Sequence, residues 1–336
     1  MNYWTATLLK RVRKIFLPLL YGLSAITLLL SACAAPNSSA VNSGQKPVEI
    51  KIAMLPIIDG LPFYVAAKQG YFTANGVSVT FIPAASAAER DQLIAAGQAD
   101  GMINDLVSVA LYNKQAVQIQ TVRFARTASK DSAMYRVLAA KSSGITSVAG
   151  LAGVPIGMSQ GTVIDYITTR LLEKEGLDVD QIQSIAVPKL NERMALLGSG
   201  EIKAATLPEP FGTIAQQSGG VILVDDSKYP EFGYSVISFR KPFIDQNPQA
   251  MTGFLKAIEQ AVSDINKTPE QWRPLLGENK LVPEALQATY PMPVFPAASI
   301  PSEAQFKDVV DWATMRKLIE TTPVYADSVT AQYLPK

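Results

Sequence analysis

The chain of 336 residues contains no histidine and a single cysteine, Cys33. Without histidine there is no side chain whose ordinary pKa lies near neutrality, no Ser-His-Asp relay and no imidazole to bind a metal. A lone cysteine makes no internal disulfide. An excess of one charge is missing too, since 30 Lys and Arg stand against 29 Asp and Glu, and no basic stripe marks a nucleic-acid partner. Gly60, Gly157 and Gly161 do not form a G-x-G-x-x-G after a strand, so no dinucleotide cofactor is expected. What remains is carboxylate chemistry or binding without catalysis.

The most apolar run is at the start. Lys10, Arg11, Arg13 and Lys14 precede an uncharged stretch, residues 15–30, which is long enough for a signal h-region and short for a membrane span. It ends in Leu30-Ser31-Ala32-Cys33. This resembles a bacterial lipoprotein signal, and implies removal of residues 1–32 and attachment of lipid to Cys33. The alternative is an uncleaved anchor with an idle thiol. Cleavage leaves 26 basic residues against 29 acidic ones. Residues 33–46, rich in Ser, Asn, Ala and Gly, read as a flexible tether, and about 290 residues remain, enough for two lobes.

Those residues repeat themselves. Glu89-Arg90-x-x-Leu93-Ile94-x-x-Gly97-Gln98 matches Glu192-Arg193-x-x-Leu196-Leu197-x-x-Gly200-Glu201. Each copy reads as a helix stopped by glycine, then a small-residue strand ending in polar residues, Asn104-Asp105 or Pro208-Glu209. Upstream, Asn75-Gly76-Val77-Ser78-Val79 has its counterpart in Glu175-Gly176-Leu177-Asp178-Val179. Two related βαβ units are therefore expected, with a ligand at the carboxyl ends of their strands. A second pair, residues 135–141 and 234–240, reads as twin strands crossing between lobes. This predicts an α/β chain with lobe 1 at 47–141 and 234–336 and lobe 2 inserted at 142–233.

The lipoprotein signal, AMLPIIDGLPFYVAAKQGYF, ERDQLIAAGQADGMIND, VPIGMSQGT, NERMALLGSGEIKAATLPEPF and VVDWATMRKLIE together resemble the nitrate/sulfonate/taurine family of ABC-transporter solute-binding proteins, related to thiamine-pyrimidine binders and synthases. The resemblance implies a two-lobed type II periplasmic-binding fold, a small-molecule ligand, a permease with its ATPase as partners, a monomer, no cofactor and a location outside the cytoplasm. The synthases on this fold rely on histidine and cysteine, so their activity is not carried over. A secreted cleft enzyme and a sensor subunit remain as alternatives.

Candidate ligand contacts follow the strand ends. Asp59, Phe63 and Tyr64 come after the first strand, and Asn104 and Asp105 after a later one, where they also suit a helix cap. Ser159, Gln160, Gly161 and Thr162 join a donor-rich loop to a helix N-terminus, which favours an anionic or polar group. Glu209 is held between two prolines, with Phe211 beside it. Arg90 and Arg193 lie mid-helix and read as solvated or structural. Because Asp59, Asp105 and Glu209 are not matched by a Lys or Arg in these loops, a neutral, zwitterionic or amino-bearing ligand is predicted, its N–H donated to Glu209 and its apolar face on Phe211 or Tyr64. The opposing reading makes the carboxylates caps and gives the donor loop an oxyanion.

Overall fold

The computed structural model describes residues 46–335. The expected signal peptide, Cys33 and all of the expected tether except Lys46 lie outside the described residues. Among the described residues no helix is long and apolar enough to cross a membrane.

Ten strands form two sheets of five. The first has β1 (Val48–Met54), β2 (Val77–Pro83), β3 (Gly101–Asn104) and β4 (Ile119–Thr127), joined late in the chain by β10 (Tyr234–Arg240). The second has β5 (Tyr135–Ala139), β6 (Pro155–Met158), β7 (Gln183–Ala186), β8 (Ala204–Pro208) and β9 (Val221–Asp225). Their orders, β2-β1-β3-β10-β4 and β7-β6-β8-β5-β9, are one topology twice. In each, the first three strands are parallel and the last two pair antiparallel. The register repeats as well, Ile52 facing Gly101 in one sheet and Ile156 facing Ala204 in the other.

The helices that position the site are α1 (Leu61–Lys68), α2 (Ala87–Ala95), α3 (Leu106–Asn113), α4 (Val163–Lys174), α5 (Leu190–Ser199), α6 (Phe211–Gln217), α7 (Pro248–Lys267) and α8 (Glu303–Met315). At the start of α2, the Ser86 hydroxyl accepts from the Glu89 N–H, and the Glu89 carboxylate accepts from the Ala85 N–H. At the end of α5, Gly200 turns the chain at φ 81°, a backbone that a Cβ disfavours. Helix α7 buries Phe254, Ile258, Ala261 and Ile265 against the first sheet, the i, i+4, i+7 stripe expected of an amphipathic helix. A separate apolar core runs between the halves, built from Val107 and Ala110 of α3, Ile164 and Ile167 of α4, and Val309 and Trp312 of α8. Helix α8 is also tied to α4 by polar contacts. Asp308 accepts from the Tyr166 hydroxyl at 2.6 Å and from Arg170 Nε at 3.1 Å.

The lobe boundary differs from the sequence expectation. Residues 135–139 and 234–240 do occupy equivalent places, fourth in each sheet, but neither strand crosses. Strand β5 pairs only with β8 and β9, so the chain passes between sheets at residues 128–134 and returns at 226–233. Both strands are so apolar that their sequence did not reveal where the turn into the other sheet falls.

One buried carboxylate fastens the two crossings together. Asp226 on the return accepts the Met134 N–H at 2.8 Å and the Tyr135 N–H at 3.1 Å. Its Oδ2 has no partner and faces Gly233, where a Cβ would lie 2.0 Å away. Burial pushes its pKa up to about 7, outweighing the two N–H bonds and Arg126, while neighbouring Asp225 adds to the rise. Because the folded pKa lies above the unfolded value, the folded state holds a proton that the unfolded state lacks between about pH 4 and about pH 7, and stability from this group falls as pH rises through that window. Asp226→Asn is expected to gain stability relative to the native chain progressively across that range and to level off above it. Denaturant unfolding at a series of pH values checks this; a pH-independent difference would exclude the linkage.

Candidate functional site

The carboxyl ends of the two parallel triplets open on one enclosed cavity of about 40 Å³ between the sheets, comparable to a few water molecules at ~10–15 Å³ each. The first half contributes Asp59, Arg90, Asn104 and Asp105, and the second contributes Ser159, Arg193 and Pro208. Leu55, Ile57, Val163 and Leu190 make most of the rest apolar. The polar lining side chains are all buried, none more than 4% exposed among Asp59, Arg90, Asn104, Asp105, Ser159 and Arg193. This is a closed arrangement, and a solute reaches it only when the halves part.

Each carboxylate near the cavity already has an arginine. Asp59 pairs with Arg126 at 3.4 Å and accepts from the Ser235 hydroxyl at 2.7 Å. Asp105 caps α3 by accepting the Ser108 N–H at 2.9 Å, and its other oxygen meets Arg90 at 3.2 Å. Arg90 also bonds Asp91 and the Ile103 carbonyl. Burial lowers the Arg90 pKa, but Asp91 and Asp105 more than offset this and hold it above its ordinary value. Arg193, fully buried, donates to the carbonyls of Val187, Pro188 and Thr206 at 2.7, 3.0 and 2.9 Å. Burial alone pulls its pKa down to about 10. These two arginines, read from sequence as solvated or structural, line the cavity. Their recurrence in both copies was the signal.

Of the expected contacts, Asp59, Asn104, Asp105 and Ser159 line the cavity. Thr162 instead caps α4, its hydroxyl accepting from the Ile164 N–H and donating to the Ser159 carbonyl. Gly161 donates its N–H to Asp165, and Gln160 reaches out to Ser184. Phe63 is core, packed edge-on to Phe81 and Phe254, and Tyr64 lies against Phe81. Glu209 is corrected most sharply. It bonds Arg136, the Thr213 hydroxyl at 2.7 Å and the Tyr290 hydroxyl at 3.3 Å, and does not line the cavity. Phe211 faces a separate surface pocket with Met194 and Leu281. With Glu209 and Phe211 turned away, the arrangement predicted for an amino-bearing ligand is not assembled. Among the described residues no group of His, Cys, Asp and Glu is placed to hold a metal ion.

The family model described as NMT1/THI5 like matches residues 58–272, which spans the first-sheet loop, the whole second sheet and α7. The chain belongs to the NMT1/THI5-like family. A protein of Brucella abortus named for a binding role is 28% identical over 132 residues, covering 38% of this chain and 41% of that one. An Escherichia coli protein named for binding aliphatic sulfonates is 26% identical over 155 residues, covering 46% and 48%. The chain thus spans less than half the length of these curated relatives. The alkanesulfonate-binding protein of Xanthomonas axonopodis pv. citri, solved bound to MOPS, shares the fold over 85% of this chain and 99% of that one, at a TM-score of 0.69 and 15% identity. The two-sheet architecture of this NMT1/THI5-like chain is therefore that of periplasmic binding proteins.

Glu209→Gln tests the reassignment of that residue. It leaves Arg136 without its buried acid, so it is expected to lower stability by about 1–3 kcal/mol and to leave solute affinity unchanged. Denaturant unfolding beside calorimetry separates the two, and a lost affinity at intact stability would restore Glu209 to the site.

Proposed function

We propose that this protein is the solute-binding component of an ABC importer, held outside the cytoplasm by lipid on Cys33, which captures a small organic solute between its lobes and presents the closed form to a permease and its ATPase. The observation that carries this reading is the enclosed cavity at the carboxyl ends of two equivalent sheets joined by two short crossings. Ligands of open α/β sheets sit at that end of the strands, and two crossings permit the halves to part as rigid bodies. The names of the E. coli and Xanthomonas relatives, which refer to sulfonates, support a ligand of the same small size.

Asp59, Asn104, Asp105 and Ser159 are proposed as the sequence-selected residues that contact the solute, supported by Arg90 and Arg193. None of them is an unpaired carboxylate or a nucleophile beside a base, and this favours binding over catalysis. The chain acts as a monomer in this reading, since two lobes of one chain complete the cavity.

Binding is expected to reduce the radius of gyration without changing secondary structure and to stabilise the fold by about 2.7 kcal/mol at a hundredfold excess of solute over Kd. X-ray scattering with and without saturating solute measures the first; superimposable curves would argue against hinge closure. The anchoring arm has its own test. Cys33→Ser is expected to move the full chain from the detergent phase to the aqueous phase with its unfolding midpoint unchanged, and equal partitioning would exclude lipidation at that residue.

A further inference from the structure

The two halves of the cavity differ in charge at one pair of equivalent positions. Arg90 of α2 donates to the Ile103 carbonyl at the end of β3, and Arg193 of α5 donates to the Thr206 carbonyl at the end of β8. Donor and acceptor are each displaced by the same 103 positions along the chain, so the two arginines are structural counterparts. Their surroundings are not. Arg90 is neutralised by Asp91 and Asp105, whereas the same displacement from those acids leads to Met194 and Pro208. Among the described residues no carboxylate lies within ion-pair distance of Arg193, although it is the more deeply buried of the two. Its guanidinium, with five N–H groups, meets only neutral carbonyls, and a buried charge without a counter-charge is unfavourable until one arrives.

A second orphan lines the same cavity. The Asn104 Oδ1 is buried with no hydrogen-bond partner. Its orientation follows from a chain of bonds: Ser108 donates its hydroxyl to Asp91 at 3.1 Å and therefore accepts from the Asn104 Nδ2 at 3.4 Å, which leaves the amide oxygen as the free end. An oxygen so placed accepts an N–H or O–H.

Building on the proposed role as a solute receptor, we infer that the ligand is a compact organic monoanion bearing a hydrogen-bond donor, its oxyanion against Arg193 and its N–H or O–H on Asn104 Oδ1. One negative charge completes the second half as Asp91 and Asp105 complete the first. A cation meets an uncompensated guanidinium, and a neutral solute leaves it without a counter-ion. An acid lacking a donor leaves the amide oxygen unsatisfied, and a site with a buried polar group rejects analogues that fail to pair with it.

The test uses the full chain in mild detergent, with three matched sets of probes in thermal-shift and calorimetric titrations. The first is acid plus donor (3-hydroxypropanoate, 3-aminopropanoate, 2-aminoethanesulfonate). The second is acid alone (propanoate, ethanesulfonate), and the third is donor without anion (3-hydroxypropanamide, 2-aminoethanol). Small molecules released on denaturing the purified protein are read in parallel by mass spectrometry for charge. The expected order is first set, then second, then third. Met194→Asp places an acid beside Arg193 as Asp91 stands beside Arg90, on a half-exposed position of α5. It is expected to weaken the best acid at least tenfold, while Met194→Asn, of the same shape without the charge, does not. Stronger binding of the third set, a released cation or neutral compound, or equal affinity in the Asp and Asn variants would overturn the inference and leave the receptor reading standing. No response to any probe together with no released molecule would overturn both.

Discussion

The organising constraint in this protein is the burial of guanidinium groups. Arg90, Arg123, Arg126 and Arg193 are all inside the fold, and a charged group in that position is tolerated only where its donors are met. Each meets the need by gripping backbone carbonyls as well as acids. Arg123 bonds the carbonyls of Phe124 and Pro296 besides Glu259, and Arg126 bonds the Ala133 carbonyl besides Asp59. The arginines therefore fix where strand ends and connecting loops lie, and the cavity is the space left between the ends so fixed. Because Arg126 sits on β4 and reaches residue 133 in the first crossing, the same constraint also ties the site to the passage between sheets.

This explains how a cavity with an apolar majority keeps its polar side chains ordered. Asp59 and Asp105 are held by arginines behind the surface they present, so they line the cavity as parts of ion pairs and not as free charges. The hinge relies on the same economy of means. Asp226 bonds two N–H groups of the opposite crossing but has no guanidinium in direct contact, and burial raises its pKa accordingly. The clasp between the crossings is thus the one place near the site where a carboxylate is left to titrate near neutral pH.

Much of the fold was legible because the chain states it twice. The repeat around Arg90 and Arg193 gave both helices, both following strands and the carboxyl-end site, and the pairing of residues 135–141 with 234–240 gave their equivalence in the sheets. What sequence did not reveal was decided by contacts distant along the chain. Glu209 read as a free carboxylate because its partner Arg136 lies 73 positions away on β5, and Asp59 read so because Arg126 is 67 positions away. Phe63 read as a cleft aromatic until Phe254, on a helix far downstream, closed over it. Local pattern records which residues are polar; it does not record which polar residues have found each other.

Duplication also clarifies how such a site acquires selectivity. Two copies of one helix-strand unit begin with the same clamp, an arginine on the carbonyl that ends the strand, and a symmetric cavity would hold either two free guanidiniums or two neutralised ones. Acids at positions 91 and 105 silence the first, while methionine and proline at 194 and 208 leave the second exposed to whatever enters. A single-residue difference in charge between halves suffices to orient a small solute, because attraction between opposite charges is several-fold stronger in a poorly hydrated cavity than in water. The asymmetry costs little for the first half, whose acids serve as cap and ion-pair partner at once, and it leaves the second half incomplete until the lobes close.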